Sequence, residues 1–209
     1  MQLVLHDYWR SSAAYRVRIA LALKGLAYER VPVDLVAGEQ RGEANRAVNP
    51  QGFVPTLIAD GVALTQSLAI IDWLDATVPE PRLIPTDPAS RARGWAQALT
   101  IAADIHPLNN LRVLRRLKAQ FGAEQDAVDD WYRHWIGEGL DALERMAGEG
   151  PFLRGETPGL ADVCLVPQLY NARRFAMEAK RWPRLAAADA ACAALPAFAE
   201  AHPDRVKPG

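Results

Sequence analysis

Over the first eighty residues apolar positions recur in short runs whose period keeps switching. Leu3-Val4-Leu5 reads as a strand, and Val17, Ala20, Leu21 and Leu23 follow at helical spacing. Lys24-Gly25 predicts the end of that helix, because glycine tolerates the left-handed backbone common just past a helix C-terminus. Tyr28 to Val33 reads as a second strand and completes a βαβ unit. The polar stretch from Val36 to Asn49 predicts an irregular helix. Val54 to Ile58 and Val62 to Leu64 form two strands around Asp60-Gly61, too close together to be anything but antiparallel. Gln66-Ser67 opens a further helix, with Ile70, Ile71 and Leu74 on its apolar face and an end near Pro79. The expected order is βαβ, α, ββα.

Pro79, Pro81, Pro85 and Pro88 then crowd a stretch that composition makes a stiff linker. Beyond it strand patterns vanish. Trp95, Leu99 and Ala102, then Val128, Trp131, Trp135 and Leu143, then Leu160 to Phe175 repeat at helical spacing, and the alanine-rich stretch from Ala186 to Ala194 favours a helix. The expected division is an α/β domain over residues 1–79, a linker over 80–88 and an all-helical domain over 89–209, with a loose tail after Pro203.

Composition narrows the partners. Half of the 209 residues are apolar, 23% are charged and the formal net charge is −1, which points to small molecules or a second copy rather than nucleic acid or a membrane surface. The two cysteines, Cys164 and Cys192, lie in apolar helical stretches without metal-type spacing and are expected as core residues in a reducing compartment. With no apolar run of membrane-spanning length and a strand pattern from the amino terminus, the expected location is the cytoplasm.

Candidate chemistry gathers where strands pass into helices. Arg10-Ser11-Ser12 follows the first strand, so both hydroxyls fall near a helix N-cap, where free N–H groups and the dipole favour an anion such as a thiolate. A cap and nothing more is the competing reading. Gln66-Ser67 offers a second such junction, suited to a carboxylate, with the same alternative. Val54-Pro55 stands at the entry of a strand that has to pair. A cis bond there would leave the Val54 N–H and C=O for an extended peptide, and an ordinary edge-strand proline is the alternative. Pro107, within Ile105-His106-Pro107-Leu108-Asn109-Asn110, is expected to kink a long helix and expose polar groups. Of Arg173 and Arg174 on an apolar helix, one can reach solvent while the other meets a buried anion.

Taken together these segments resemble the zeta class of glutathione transferases, the group that contains maleylacetoacetate and maleylpyruvate isomerases. The resemblance covers nearly the whole chain. It rests on Trp9-Arg10-Ser11-Ser12 with Arg16-Val17-Arg18-Ile19-Ala20-Leu21, on Asn49-Pro50 with Val54-Pro55-Thr56-Leu57, and on Gln66-Ser67-Leu68-Ala69-Ile70. Ile105-His106-Pro107-Leu108-Asn109-Asn110, Ala161-Asp162 through Leu165-Val166-Pro167-Gln168, and Ala172-Arg173-Arg174-Phe175 continue it. It implies a thioredoxin-like first domain, an all-helical second domain completing the substrate pocket, glutathione as cosubstrate without a metal, and a homodimer. It also implies roles: Ser11 and Ser12, with Arg10, at the catalytic centre; Gln40 and Val54 on the peptide backbone; Gln66 and Ser67 on the γ-glutamyl end; and Asp104 among the glutathione contacts. Arg10, His106, Asn109, Arg112 and Arg174 would meet an acidic cosubstrate, and Asp162 would belong to a capping box that serves folding.

Two departures qualify the resemblance. Ala13 stands where many members of the class carry cysteine, so a protein thiol is excluded at that position, and Gly159 replaces the usual serine or threonine of the capping box. The implied reaction is glutathione-dependent cis–trans isomerisation of a maleyl dicarboxylate in aromatic catabolism. Transfer of glutathione to halogenated acids or aromatic electrophiles is the nearest alternative, and a non-catalytic binding module on the same fold is the other.

Overall fold

Alternation along β1 (Leu3–Asp7) turns Leu3, Leu5 and Asp7 inward and leaves Val4 and His6 half-buried. This strand is central in a four-stranded sheet of order β2-β1-β3-β4, completed by β2 (Glu29–Pro32), β3 (Thr56–Ala59) and β4 (Val62–Thr65). It pairs parallel with β2, Leu5 opposite Arg30, and antiparallel with β3, Leu5 opposite Leu57. Parallel pairing needs a crossover, which α1 (Ser12–Leu23) supplies. β3 and β4 close over Asp60-Gly61, left-handed at both residues (φ 46° and 85°), as a tight hairpin with this twist requires.

Helix α1 is buried nearly all round: Val17, Ile19, Ala20 and Leu21 have no exposed surface, and neither does Arg18. It stops at Lys24, with Gly25 left-handed at φ 63°. The Lys24 ammonium is itself buried and bonds Asp75 Oδ1 at 2.7 Å and the Pro81 carbonyl at 2.6 Å, tying the end of α1 to the end of α3 (Ser67–Thr77). Between the second and third strands lie a 3-10 turn, Glu39–Arg41, and α2 (Glu43–Val48), the irregular helix anticipated there. The Val54-Pro55 and Glu80-Pro81 peptides are cis.

The computed structural model describes residues 1–208. They fall into two units, one comprising Met1–Leu83 with the stretch from Ala193 onward, the other Ile84–Cys192. The second unit is helical. Asp87 caps α4 (Pro88–Leu99), accepting the Ser90 N–H at 2.8 Å, and proline takes the first helical position, where its missing N–H is harmless.

The kink expected at Pro107 is replaced by a wider change. A π-helical turn, Thr100–Ile105, runs into the single turn α5 (His106–Leu108), and the chain then breaks before α6 (Leu111–Phe121). Two side chains stabilise the break. The Trp131 indole, on α7 (Gln125–Met146), takes the Leu108 carbonyl at 2.9 Å, and Asn110 caps α6 through the Arg112 N–H at 3.1 Å. Gly139 on α7 admits the π turn: a Cβ there would lie 2.2 Å from Ile105 Cγ1. The buried face of α7 is Val128, Tyr132, Ile136, Leu140 and Leu143, so Trp131 and Trp135 are only half-buried, one residue around from the expected stripe.

Helix α8 (Leu160–Arg174) is interior from Leu160 to Leu169. At its start Asp162 accepts the N–H of Gly159 at 2.9 Å and that of Leu153 at 2.7 Å, so the capping box works with glycine at the cap. Helix α9 (Pro183–Ala193) follows.

The short helices α10 (Pro196–Glu200) and α11 (Pro203–Val206) belong to the sheet-containing unit, α10 lying against α1. The loose tail expected after Pro203 is therefore corrected. Arg30 of β2 bonds the Val206 carbonyl at 3.0 Å, a tie between residues far apart in sequence.

Burial pushes the Asp162 carboxyl up to about 6, against the backbone N–H groups of Gly159, Leu153 and Asp162 itself, which favour its charged form. A raised carboxyl pKa means that the folded state binds the proton more tightly than the unfolded chain. Its contribution therefore weakens as pH rises from about 4 to about 6 and is constant above that. Asp162→Ala is expected to orphan two N–H groups, lower stability by roughly 2–5 kcal/mol and remove this part of the pH dependence. Thermal melts of both proteins between pH 4 and 8 check it, and parallel pH profiles would refute the titration.

Candidate active site

From Asp7 the chain turns through Tyr8, Trp9 and Arg10, and the turn is closed by the Ser11 N–H on the Tyr8 carbonyl at 2.8 Å. Ser11 is extended (φ −68°, ψ 120°), and its Oγ accepts the Ala14 N–H at 3.3 Å, so it is the N-cap of α1. Capping occupies one acceptor site of the hydroxyl and leaves its O–H to donate. Cap and ligand site are therefore compatible in one side chain. No acidic residue occupies the first turn, so the positive end of α1 is not neutralised from within the helix. Ser12 is buried as the first helical residue, and Arg10 lies half-buried with its guanidinium carbon 5.5 Å from the Trp9 ring centroid.

A second cluster forms at the entry to β3. Val54 is 9% exposed and cis to Pro55, and the ladder with β1 begins only at Thr56, so the Val54 peptide lies outside the sheet. The preceding loop is held by amides: Asn45 Nδ2 bonds the Gln40 carbonyl at 3.0 Å and the Phe53 carbonyl at 3.4 Å, and Asn49 Nδ2 bonds Phe53 at 3.1 Å. Gly52 (φ 65°) makes the approach possible, because a Cβ there would sit 2.9 Å from the Gln40 carbonyl oxygen. Gln40 Oε1 and Thr56 Oγ1 are buried without a protein partner. Unpaired buried polar atoms are rare enough to need a reason, and an extended peptide lying along this segment is one.

The third cluster is the start of α3. Gln66, its N-cap, adopts φ 67° and ψ 115°, a strained backbone for a residue with a Cβ, and its Nε2 bonds Gln51 Oε1 at 2.9 Å. Ser67 is buried, and its Oγ accepts Arg16 Nη1 from α1 at 3.4 Å. Free helical N–H groups beside a guanidinium form a carboxylate-type environment.

The remaining predicted residues lie in the helical unit. Asp104 is exposed in the π turn, and His106 is half-buried on α5. Asn109 is buried, with neither side-chain polar atom partnered by protein, and Arg112 is exposed at the start of α6. Arg173 and Arg174 are both exposed; Arg173 ion-pairs with Asp189, and Arg174 Nη1 lies 3.3 Å from Asn171 Oδ1. Cys164 and Cys192 are buried and not joined in a disulfide, as expected of core residues. Among the described residues no group of His, Cys, Asp and Glu is placed to hold a metal ion, and no helix is long and apolar enough to cross a membrane.

Sequence reasoning missed Asp7, Arg18, Asn45 and Gly52 as members of these clusters. The signal for Arg18 was present: two arginines, Arg16 and Arg18, in an otherwise apolar helix need buried acceptors.

Residues 5–82 match the family model for the glutathione S-transferase N-terminal domain, and residues 125–195 match that for the C-terminal domain. The chain is 51% identical to a maleylacetoacetate isomerase of Rhizobium meliloti (strain 1021) over 208 residues, 98% of each chain. It superimposes with a TM-score of 0.95 on a holo structure of a maleylpyruvate isomerase described as a bacterial zeta-class glutathione S-transferase, at 42% identity over 99% of both chains. A maleylacetoacetate isomerase from Anaeromyxobacter dehalogenans 2CP-1, 47% identical over 99% of this chain and 96% of that one with a TM-score of 0.88, was solved with dicarboxyethyl glutathione and citrate in its active site. The three clusters around Ser11, Val54 and Gln66 thus stand in a chain that belongs to the glutathione S-transferase family, in its zeta class.

Proposed function

We propose that this protein is a glutathione-dependent cis–trans isomerase of a maleyl-type dicarboxylate, maleylacetoacetate or maleylpyruvate, working as a cytoplasmic homodimer. The observation that carries the reading is the Ser11 hydroxyl, which caps α1 and still has its proton to donate at the positive end of the helix. A thiol with an ordinary pKa of about 8.5 is lowered by about one or two units in such a place, each unit worth about 1.4 kcal/mol.

The residues present fit glutathione. Ser11 donates to the sulfur and Ser12 supports it. Val54 and Gln40 hold the peptide backbone, where an orphaned Gln40 Oε1 and a peptide unit outside the sheet are available. Gln66 and Ser67 take the γ-glutamyl end at the start of α3, and Asp104 is assigned to the same ligand by resemblance. When bound, glutathione supplies a thiolate that adds reversibly to the cis double bond, so that rotation and elimination return the trans isomer. Arg10, Arg112 and Arg174, with Asn109 and His106, are assigned to the acidic substrate: guanidinium groups hold carboxylates in fixed geometry and offset the negative charge that develops on the conjugated carbonyl.

The reading is tested by offering glutathione with both maleyl substrates and a chloroaromatic, and measuring isomer and conjugate separately. Isomer is expected to dominate, and Ser11→Ala to lower kcat about 100-fold while changing glutathione affinity less than about threefold. Conjugate without isomer would make the protein a general transferase, and no glutathione binding would make it a non-catalytic module. Gly52→Ala, which forces the Gln40 carbonyl away from the loop before Val54, is expected to weaken glutathione binding about tenfold by titration calorimetry with kcat largely kept at saturation. Arg174→Ala should raise KM for the dicarboxylate at least about tenfold and spare an uncharged electrophile; an equal loss for both would remove it from the carboxylate site.

A further inference from the structure

The Trp9–Ser12 turn is held from behind by the far end of the chain. Arg18, without exposed surface, spreads its donors over three acceptors: Nη1 to Asp7 Oδ1 at 2.7 Å, Nη2 to the Trp9 carbonyl at 2.9 Å and Nε to the Ala201 carbonyl at 3.0 Å. Arg30 takes the other Asp7 oxygen through Nε at 3.0 Å and reaches the Val206 carbonyl with Nη1 at 3.0 Å. Beyond it, the Lys207 ammonium lies 5.4 Å from the centroid of the Trp9 ring, and His202 meets Tyr15 of α1 edge-on with centroids 6.0 Å apart.

Two of these contacts, from Arg18 and Lys207, fall on Trp9, two residues before the serine whose hydroxyl must be aimed, and the others hold Asp7 and Tyr15 on either side of the turn. The convergence is cooperative for a physical reason. Arg18 is fully buried and needs its donors answered within the protein, and Arg30, about a quarter exposed, holds the other oxygen of the same Asp7 carboxylate, so the Ala201 and Val206 carbonyls fix two guanidinium groups that share one acceptor at the start of the turn. Hydrogen bonds that stabilise an anion are sensitive to small displacements of the donor.

We propose that the C-terminal segment from Ala201 to Lys207 is a brace that positions the Ser11 hydroxyl, acting through Arg18, Arg30 and Trp9. Its residues are positioning residues. The proposal rests on the reading that Ser11 binds the glutathione sulfur.

The test removes residues 204–209, which keeps the Arg18 to Ala201 bond and α10 but deletes the Val206 acceptor and Lys207. Titrating the thiolate absorbance of bound glutathione is expected to show its pKa raised by about one unit, a tenfold loss of thiolate at a pH below both values, with kcat down about tenfold. Glutathione affinity at a pH where the thiol is neutral should move less than about threefold. Because the deletion also removes charge, the titration is repeated at about 1 M salt, where the Debye length is about 3 Å; a displaced hydroxyl keeps the shift there, and a shift abolished by salt would assign it to lost charge and overturn the brace. An unchanged thiol pKa and kcat in a folded truncated chain would overturn it too. If the truncated chain does not fold, Lys207→Gln, a change at an exposed side chain, is read by the same titration with a smaller rise expected, about twofold in thiolate fraction, and no rise is the refuting result. The reading beneath is separable: if glutathione bound to the native protein titrates as free glutathione does, and Ser11→Ala changes nothing, Ser11 is not the sulfur ligand and the brace falls with it.

Discussion

A carboxylate with no solvent exposure, at the end of the central strand, is the constraint around which the first unit is organised. Asp7 could not remain charged there alone, since an unpaired buried charge is far costlier than any single packing gain. Its hydration is replaced by two guanidinium groups, from Arg18 on α1 and Arg30 on β2, each at hydrogen-bonding distance. Burial weakens the hold of Arg18 on its proton, and the neighbouring Asp7 charge works against that loss. Strand, crossover helix and second strand are thus pinned at one point. That point is where the chain leaves the sheet for Ser11, so the stability of the βαβ unit and the placement of the candidate catalytic turn share one interaction.

The starts of α1 and α3 both keep free what a ligand needs. Ser11 accepts from the backbone and keeps its proton. Gln66 reaches no N–H of its own helix and instead bonds Gln51, leaving the start of α3 without a side-chain cap. A positive φ at a glutamine costs on the order of 1–3 kcal/mol, and such strain persists only where the surroundings impose it. Here the surroundings are the β4 hairpin on one side and the buried Ser67, bonded to Arg16, on the other. The resulting geometry is preorganised for anions at two places, which is what a peptide with a thiolate and a terminal carboxylate requires.

What could be read from the sequence is what local rules govern. The strands, α1 and its glycine stop, the hairpin over Asp60-Gly61 and the start of α3 follow from period and turn chemistry, and the Val54-Pro55 segment was flagged because proline has no N–H to give a ladder. The misses share a cause, dependence on partners distant in sequence. The tail looked loose because nothing in Pro203 to Lys207 signals that Arg30 waits for the Val206 carbonyl. Pro107 looked like a kink because the Trp131 indole that donates to the Leu108 carbonyl lies on another helix. The buried face of α7 was misread by one residue because large indoles look like core, although Trp131 is spent on a hydrogen bond and Tyr132 goes inward to stack on Phe175 with centroids 3.7 Å apart.

The position after the two serines bears most directly on mechanism. Ala13 has no thiol to offer at the start of α1, and the chain holds only two cysteines. Both are buried on helices of the other unit, and burial, with Asp162 and Asp189 nearby, pushes the Cys192 thiol far above its ordinary range, the opposite of what a nucleophile needs. Thiolate chemistry at neutral pH therefore requires a sulfur brought in by a ligand. The candidate place for it is the start of α1, where the Ser11 hydroxyl has a proton to donate and the helix provides positive potential. Loss of the family's cysteine then leaves the isomerisation intact in principle, because the group that must add and leave again is the one that arrives with glutathione, and the protein's part is to hold its charge and aim it.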